Sequence, residues 1–137
     1  MPQPRRLAFL ALLAASAIPL AACAPSDHTL EDETYVIIAE PQPGPIYTMW
    51  AIIEGTLVEF DGCVGIEHVG GQSFPLEFPS GTTIEGDRIH VAGFDRAYQL
   101  GDWISGAGGT VPFAEDSHPA APCHSDDIVV LGDGRAN

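Results

Sequence analysis

The stretch Thr48–Val69, TMWAIIEGTLVEFDGCVGIEHV, restricts the fold more than any other part of the chain. Asp61-Gly62 separates two apolar-rich runs, and a two-residue hairpin turn of this kind needs positive φ at both central positions, which Asp-Gly tolerates. The spacing predicts a hairpin that sets Phe60 opposite Cys63, Glu59 opposite Val64, Leu57 opposite Ile66 and Gly55 opposite His68. Leu57 and Ile66 then share one face, while Val58, Phe60 and Cys63 share the other. Apolar residues on both faces call for a sheet covered on both sides, as in a closed barrel or a sandwich. Gly55 interrupts the first strand where a sharp bend is possible. A long, glycine-bent strand shared by both halves of a barrel is a feature of OB-like folds.

The rest of the chain reads as short strands between turn signals. TYVIIAE (Thr34–Glu40) is a β-branched apolar run and a candidate first strand, broken by PQPGP (Pro41–Pro45). SFPLEF precedes PSGTT; RIHVAGF follows the turn EGD; AYQL leads through Gly101-Asp102 into WISGAGGTVPF; and IVVL (Ile128–Leu131) is a last buried strand. Ile89 and Val91 alternate with Arg88 and His90, the pattern of a half-buried strand. Between them, Ala114–Asp127 is a loop. No segment outside the first 22 residues shows a convincing amphipathic helix, so the expectation is an all-β fold, a small barrel or sandwich, with the OB-like barrel as one form of it.

The N-terminus carries a different signal. Arg5 and Arg6 precede an apolar run, Leu7–Leu20, that ends in small residues, the layout of a secretory signal. That run is shorter than the roughly 20 residues a membrane span requires. Its ending, Leu20-Ala21-Ala22-Cys23, resembles the lipobox of bacterial lipoproteins. The resemblance covers residues 1–23 and implies a mature chain that starts at a lipidated Cys23, held to a membrane surface by acyl chains. The Arg5-Arg6 pair also resembles a twin-arginine export signal, although Pro4 and Ala8 depart from that pattern. Ala24 differs from the aspartate that resembles an inner-membrane retention signal, which implies the outer membrane in a Gram-negative cell. Residues 1–22 are therefore read as a signal peptide, 23–33 (ending in SDHTLEDE) as a lipidated acidic tether and 34–137 as one all-β domain. GTLVEFDGC, FPSGTT, GAGG and IVVLGD, spread over Glu54–Asp133, also resemble small β-domains of bacterial lipoproteins. Those motifs are turns, so no catalytic residue carries over.

Charge narrows the function classes. Beyond residue 22 the chain keeps all 19 acidic residues against three arginines (Arg88, Arg96, Arg135) and no lysine, a formal balance of −16. Without lysine there is no P-loop lysine and no Schiff-base nucleophile. The acidic field repels nucleic acid, whose binding rests on neutralising phosphates.

With Cys23 assigned to lipid by the lipobox resemblance, Cys63 and Cys123 remain as an even pair in an oxidising compartment, where a disulfide is expected. The segment HPAAPCHSDD (His118–Asp127) then loses its best metal ligand. The alternative is a divalent-cation site from His118, His124, Asp126 and Asp127. The six-residue His118–His124 spacing matches no zinc pattern, and a glycine-pivoted calcium loop is missing. Ser80 and Ser105 sit in no nucleophile elbow. Gly106–Gly109 is followed by no helix to receive a phosphate, so a barrel bend or hairpin loop is expected there. Tyr47, Trp50, Tyr98 and Trp103 are candidates for a carbohydrate or peptide groove. Together these readings describe a non-enzymatic, lipid-anchored envelope module without cofactor, whose partner is an envelope protein or a small ligand. A small hydrolase would require a cleft holding Ser or His beside a carboxylate.

Overall fold

The computed structural model of the 137-residue chain describes residues 28–41 and 51–133. The segment expected to be a signal peptide (1–22), Cys23, Ala24, Tyr47 and Trp50 lie outside the described residues. Among those described, nine strands form: β1 (Ile37–Ile38), β2 (Ala51–Phe60), β3 (Cys63–Glu67), β4 (Ser73–Phe78), β5 (Thr83–Glu85), β6 (Arg88–His90), β7 (Ala97–Tyr98), β8 (Trp103–Pro112) and β9 (Asp127–Leu131). A single 3₁₀ turn, Glu115–Ser117, interrupts the β8–β9 connection.

The β2–β3 hairpin has the expected register, with Phe60 opposite Cys63, Glu59 opposite Val64 and Leu57 opposite Ile66. Asp61 and Gly62 have φ of 47° and 86°, so both turn residues occupy the left-handed region that Asp-Gly tolerates. From Thr56 towards Phe60, β2 pairs with β3, whereas Ala51–Thr56 pairs with β8. The changeover falls next to Gly55, where any Cβ would lie 2.4 Å from the Glu67 carbonyl oxygen. The interrupting glycine thus lets two neighbouring strands share one long strand.

The sheet closes because β4 pairs with both β3 and β9, the latter in parallel (Leu76 with Val129, Glu77 with Val130). β9 in turn pairs antiparallel with β8, which pairs with β2. Counted along the chain, the five barrel strands β2, β3, β4, β8 and β9 lie in the order one-two-three-five-four and back to one. This is the connectivity of an OB-like barrel, with the third and fifth strands parallel. The GAGG segment is no hairpin loop. It lies inside β8, where that strand passes from β2 to β9.

Strand alternation sorts the side chains into two cores. Leu57, Val64, Ile66, Leu76, Phe78, Ile104, Val129 and Leu131 point inward and are buried together. Full burial of one such side chain stabilises the fold by about 1.5–3 kcal/mol. The small β5–β6–β7 sheet adds Ile89 and Tyr98 to this interior, while Arg88 and His90 stay exposed. A second cluster on the outer face joins Ile37, Cys63, Cys123 and Ile128.

Two expectations need correction. The first strand is far shorter than Thr34–Glu40: only Ile37–Ile38 form a ladder, parallel to Glu77–Phe78 of β4. Tyr35 instead bridges Cys63, so this segment fills the gap where β3 and β4 diverge. The fold also begins before Thr34. Leu30 is buried in the main core, Thr29 bridges Tyr35, and the Glu31 N–H donates to the Gly86 carbonyl. The last residues assigned to the tether, 28–33, therefore belong to the folded unit.

Candidate functional site

Cys63 follows the hairpin turn and Cys123 precedes β9, and the barrel brings their Cα atoms to 5.7 Å in a disulfide that spans 60 residues. Asp61 reinforces the junction, its Oδ2 accepting the His124 N–H at 2.9 Å. The 113–126 loop is thereby held over the outer cluster. OB-like barrels commonly take oligonucleotides or oligosaccharides across their second and third strands and the adjoining loops. Here Tyr35, Ile37, Phe113, Ala121 and Cys123 pack with Cys63 in the outer cluster, so the 35–38 segment and the 113–126 loop border one another.

At that border lies a groove of about 390 Å³, within the size range of small-molecule sites. It is lined by His28, Tyr35 and Ile38–Pro41, by the turn Ser80–Thr82 and by Ser117–Ala120. The His28 and Tyr35 rings stack, with centroids 5.7 Å apart and planes 10° from parallel. Burial pushes the Tyr35 phenol above its ordinary pKa. The Thr82 hydroxyl serves the turn itself, donating to the Pro79 carbonyl and accepting the Ala92 N–H.

His118, also on the groove, is held by a carboxylate. Its Nε2 lies 2.6 Å from Glu77 Oε2, and the two side chains are only 12% and 19% exposed. A carboxylate can only accept, so Nε2–H donates to Glu77; Nδ1 is then an acceptor in the neutral ring and a second donor in the charged one. Among the described residues no protein group is bonded to that Nδ1. Sequence reading selected His118 but missed Glu77, which is 41 residues away and reaches it only because β4 and β9 pair in parallel.

The residues of the alternative cation site are dispersed. His118 pairs with Glu77, whereas His124 pairs with Glu115 at 2.9 Å on the exposed surface. Hydrogen bonding to the Glu115 carboxylate raises the His124 pKa above the ordinary imidazole value. Asp127 enters β9, and the Asp126 carbonyl accepts the Phe113 N–H. Among the described residues no three His, Cys, Asp or Glu side chains converge on one point. Calcium at millimolar or zinc at micromolar concentration should therefore leave the melting temperature unchanged. A site occupied at 100 times its dissociation constant would instead add about 2.7 kcal/mol. A rise abolished by His124→Ala would establish the cation site.

Of the aromatic residues expected to line a groove, Tyr98 and Trp103 are among the described residues. Tyr98 is buried beneath Arg96, whose guanidinium carbon lies 4.4 Å from the ring centroid, and Trp103 is half-exposed on β8. Comparison with protein-family models, curated proteins and solved structures returned no match.

Proposed function

We propose that this chain is a lipid-anchored extracytoplasmic binding module, tethered through Cys23 to the cell envelope, at the periplasmic face of the outer membrane in a Gram-negative cell. The observation that carries the binding role is the groove, with His118 on its lining held by Glu77. The Leu20-Ala21-Ala22-Cys23 ending supports the anchor, and a buried disulfide fits an oxidising compartment. One acyl chain holds a protein marginally and two or three hold it firmly, at about 0.8 kcal/mol per buried methylene. Cys23→Ser should therefore abolish incorporation of labelled palmitate and move the protein from membrane to soluble fractions. Unchanged label and retention would contradict the anchor.

One observation favours a second reading, a small hydrolase: Ser80 and Ser117 line the same groove as His118, which is paired with Glu77. Neither hydroxyl is hydrogen-bonded to His118, so the nucleophile–base contact of such an enzyme is not formed. Covalent labelling of Ser80 or Ser117 by a fluorophosphonate, lost in His118→Ala, would favour the hydrolase.

A further inference from the structure

We infer that the chain self-associates through the outward face of the β2–β8 ladder, two copies meeting about a two-fold axis that passes through Ala107. This goes beyond the reading of the chain as a binding module and makes no use of the groove.

Alternation along β8 buries Ile104 and Gly108 and turns Trp103, Ser105, Ala107, Gly109 and Val111 outward. Ile52 stands opposite Ala107 and is 79% exposed. Ile52, Trp103 and Val111 are three of the four large apolar side chains exposed among the described residues; the fourth, Val69, lies on the β3–β4 turn. Single exposed apolar residues are ordinary, but these three share the outward face of one long strand and its partner. β8 itself, WISGAGGTVP, carries no charge, in a chain whose formal balance beyond residue 22 is −16. Two such acidic chains can approach closely only through a neutral surface of this kind.

Spacing and charge both point to a second copy as the occupant. Trp103 and Val111 each lie four residues from Ala107, about 13 Å along the strand. An axis at Ala107 therefore sets Trp103 of each copy against Val111 of the other, with the two Ile52 side chains flanking the axis. That is the self-complementarity an isologous interface requires. Ser105, Ala107 and Gly109 are small and admit close approach. The two ends are opposite in charge. Exposed Arg96 donates to the Trp103 carbonyl at one end, and exposed Asp126 and Asp127 adjoin Phe113 and Pro112 at the other. The same axis brings each Arg96 to the acidic end of the other copy. Glu54, the one carboxylate on the β2 half, is opposite Ser105, so the two Glu54 residues stand at least about 13 Å apart, beyond the ~8 Å Debye length. The strip measures about 30 by 10 Å, well below the ~800 Å² per partner of a stable interface, so the dimer is weak and concentration-dependent.

The test is disulfide capture in intact cells treated briefly with copper–phenanthroline. Ala107→Cys puts a thiol at the axis and should run as a cross-linked dimer on non-reducing gels. Thr83→Cys, exposed on the separate β5–β6–β7 sheet, should stay monomeric. Adding Ile52→Asp should abolish the capture. Sedimentation equilibrium of the purified mature protein is the second reading, and it decides the matter if Ala107→Cys fails to fold. The unaltered chain should shift towards dimer as its concentration rises, and Ile52→Asp should raise the dimer dissociation constant by at least about tenfold with an unchanged melting temperature. Monomer at every concentration, equal capture with Thr83→Cys, or capture of Ala107→Cys on a protein of different mass would overturn the inference.

Discussion

Removing the Cys63–Cys123 bridge should cost the domain about 4 kcal/mol of stability. The bond closes a 60-residue loop, and the loss of loop-closure entropy from the unfolded chain has that magnitude in the chain-entropy model. Small domains retain only about 5–15 kcal/mol in total, so a protein lacking the bond is expected to be partly unfolded at 37 °C. The position of the bridge adds to the effect. Cys63 and Cys123 are both buried, and together with Ile37 and Ile128 they make the outer cluster that holds the 113–126 loop down. Urea denaturation of the oxidised protein, the reduced protein and the Cys63→Ala, Cys123→Ala double variant measures this. The latter two should agree with each other and fall well below the first. Coincidence of all three curves would show that the barrel holds the loop without the bond.

Gly108→Val should prevent folding, while Gly109→Ala, one residue on, should be neutral or stabilising by up to about 1 kcal/mol. The difference is steric. A Cβ at Gly108 would lie 2.2 Å from the Val130 carbonyl oxygen and 2.8 Å from an Ile53 side-chain carbon, at the point where β8 passes from β2 to β9. The contact is with backbone on a paired strand, so relief requires β8 and β9 to part, which opens the barrel. Overpacking alone costs about 1–3 kcal/mol, and loss of the ladder adds to it. At Gly109 nothing lies within 4 Å of the added atom. Solubility, thermal melting and amide dispersion of the two variants report the outcome. A folded Gly108→Val with a near-normal melting temperature would mean that the closure of the barrel is not as described.

The parts of this fold legible in the sequence are those set by local chemistry. Asp61-Gly62 dictated the hairpin register through its positive-φ requirement, and Gly55 marked the strand that changes partner. Alternation in Arg88–Val91 exposed the half-buried strand, and IVVL the last one. What the sequence concealed depends on closure. TYVIIAE has the composition of a strand, yet only Ile37–Ile38 find a ladder partner, because that segment fits between two diverging strands. The acidic composition of 28–33 suggested a tether, but one leucine, Leu30, carries the segment into the core. His118 stood out within HPAAPCHSDD, but its partner Glu77 lies in an ordinary strand, SFPLEF, and no spacing rule connects residues joined only through a parallel β4–β9 pairing. Tyr35, which stacks on His28 at the groove, carried no signal beyond an apolar run.

The proposed anchor at Cys23 would determine where such a groove works, and it can be read directly from the N-terminus of the isolated protein. The measurement is mass spectrometry of the N-terminal peptide from protein isolated out of membranes. A peptide beginning at Cys23, with diacylglycerol on its sulfur and an acyl group on its amine, is the expected result. A chain beginning at Met1 or Ala24, or at a Cys23 without lipid, would contradict it.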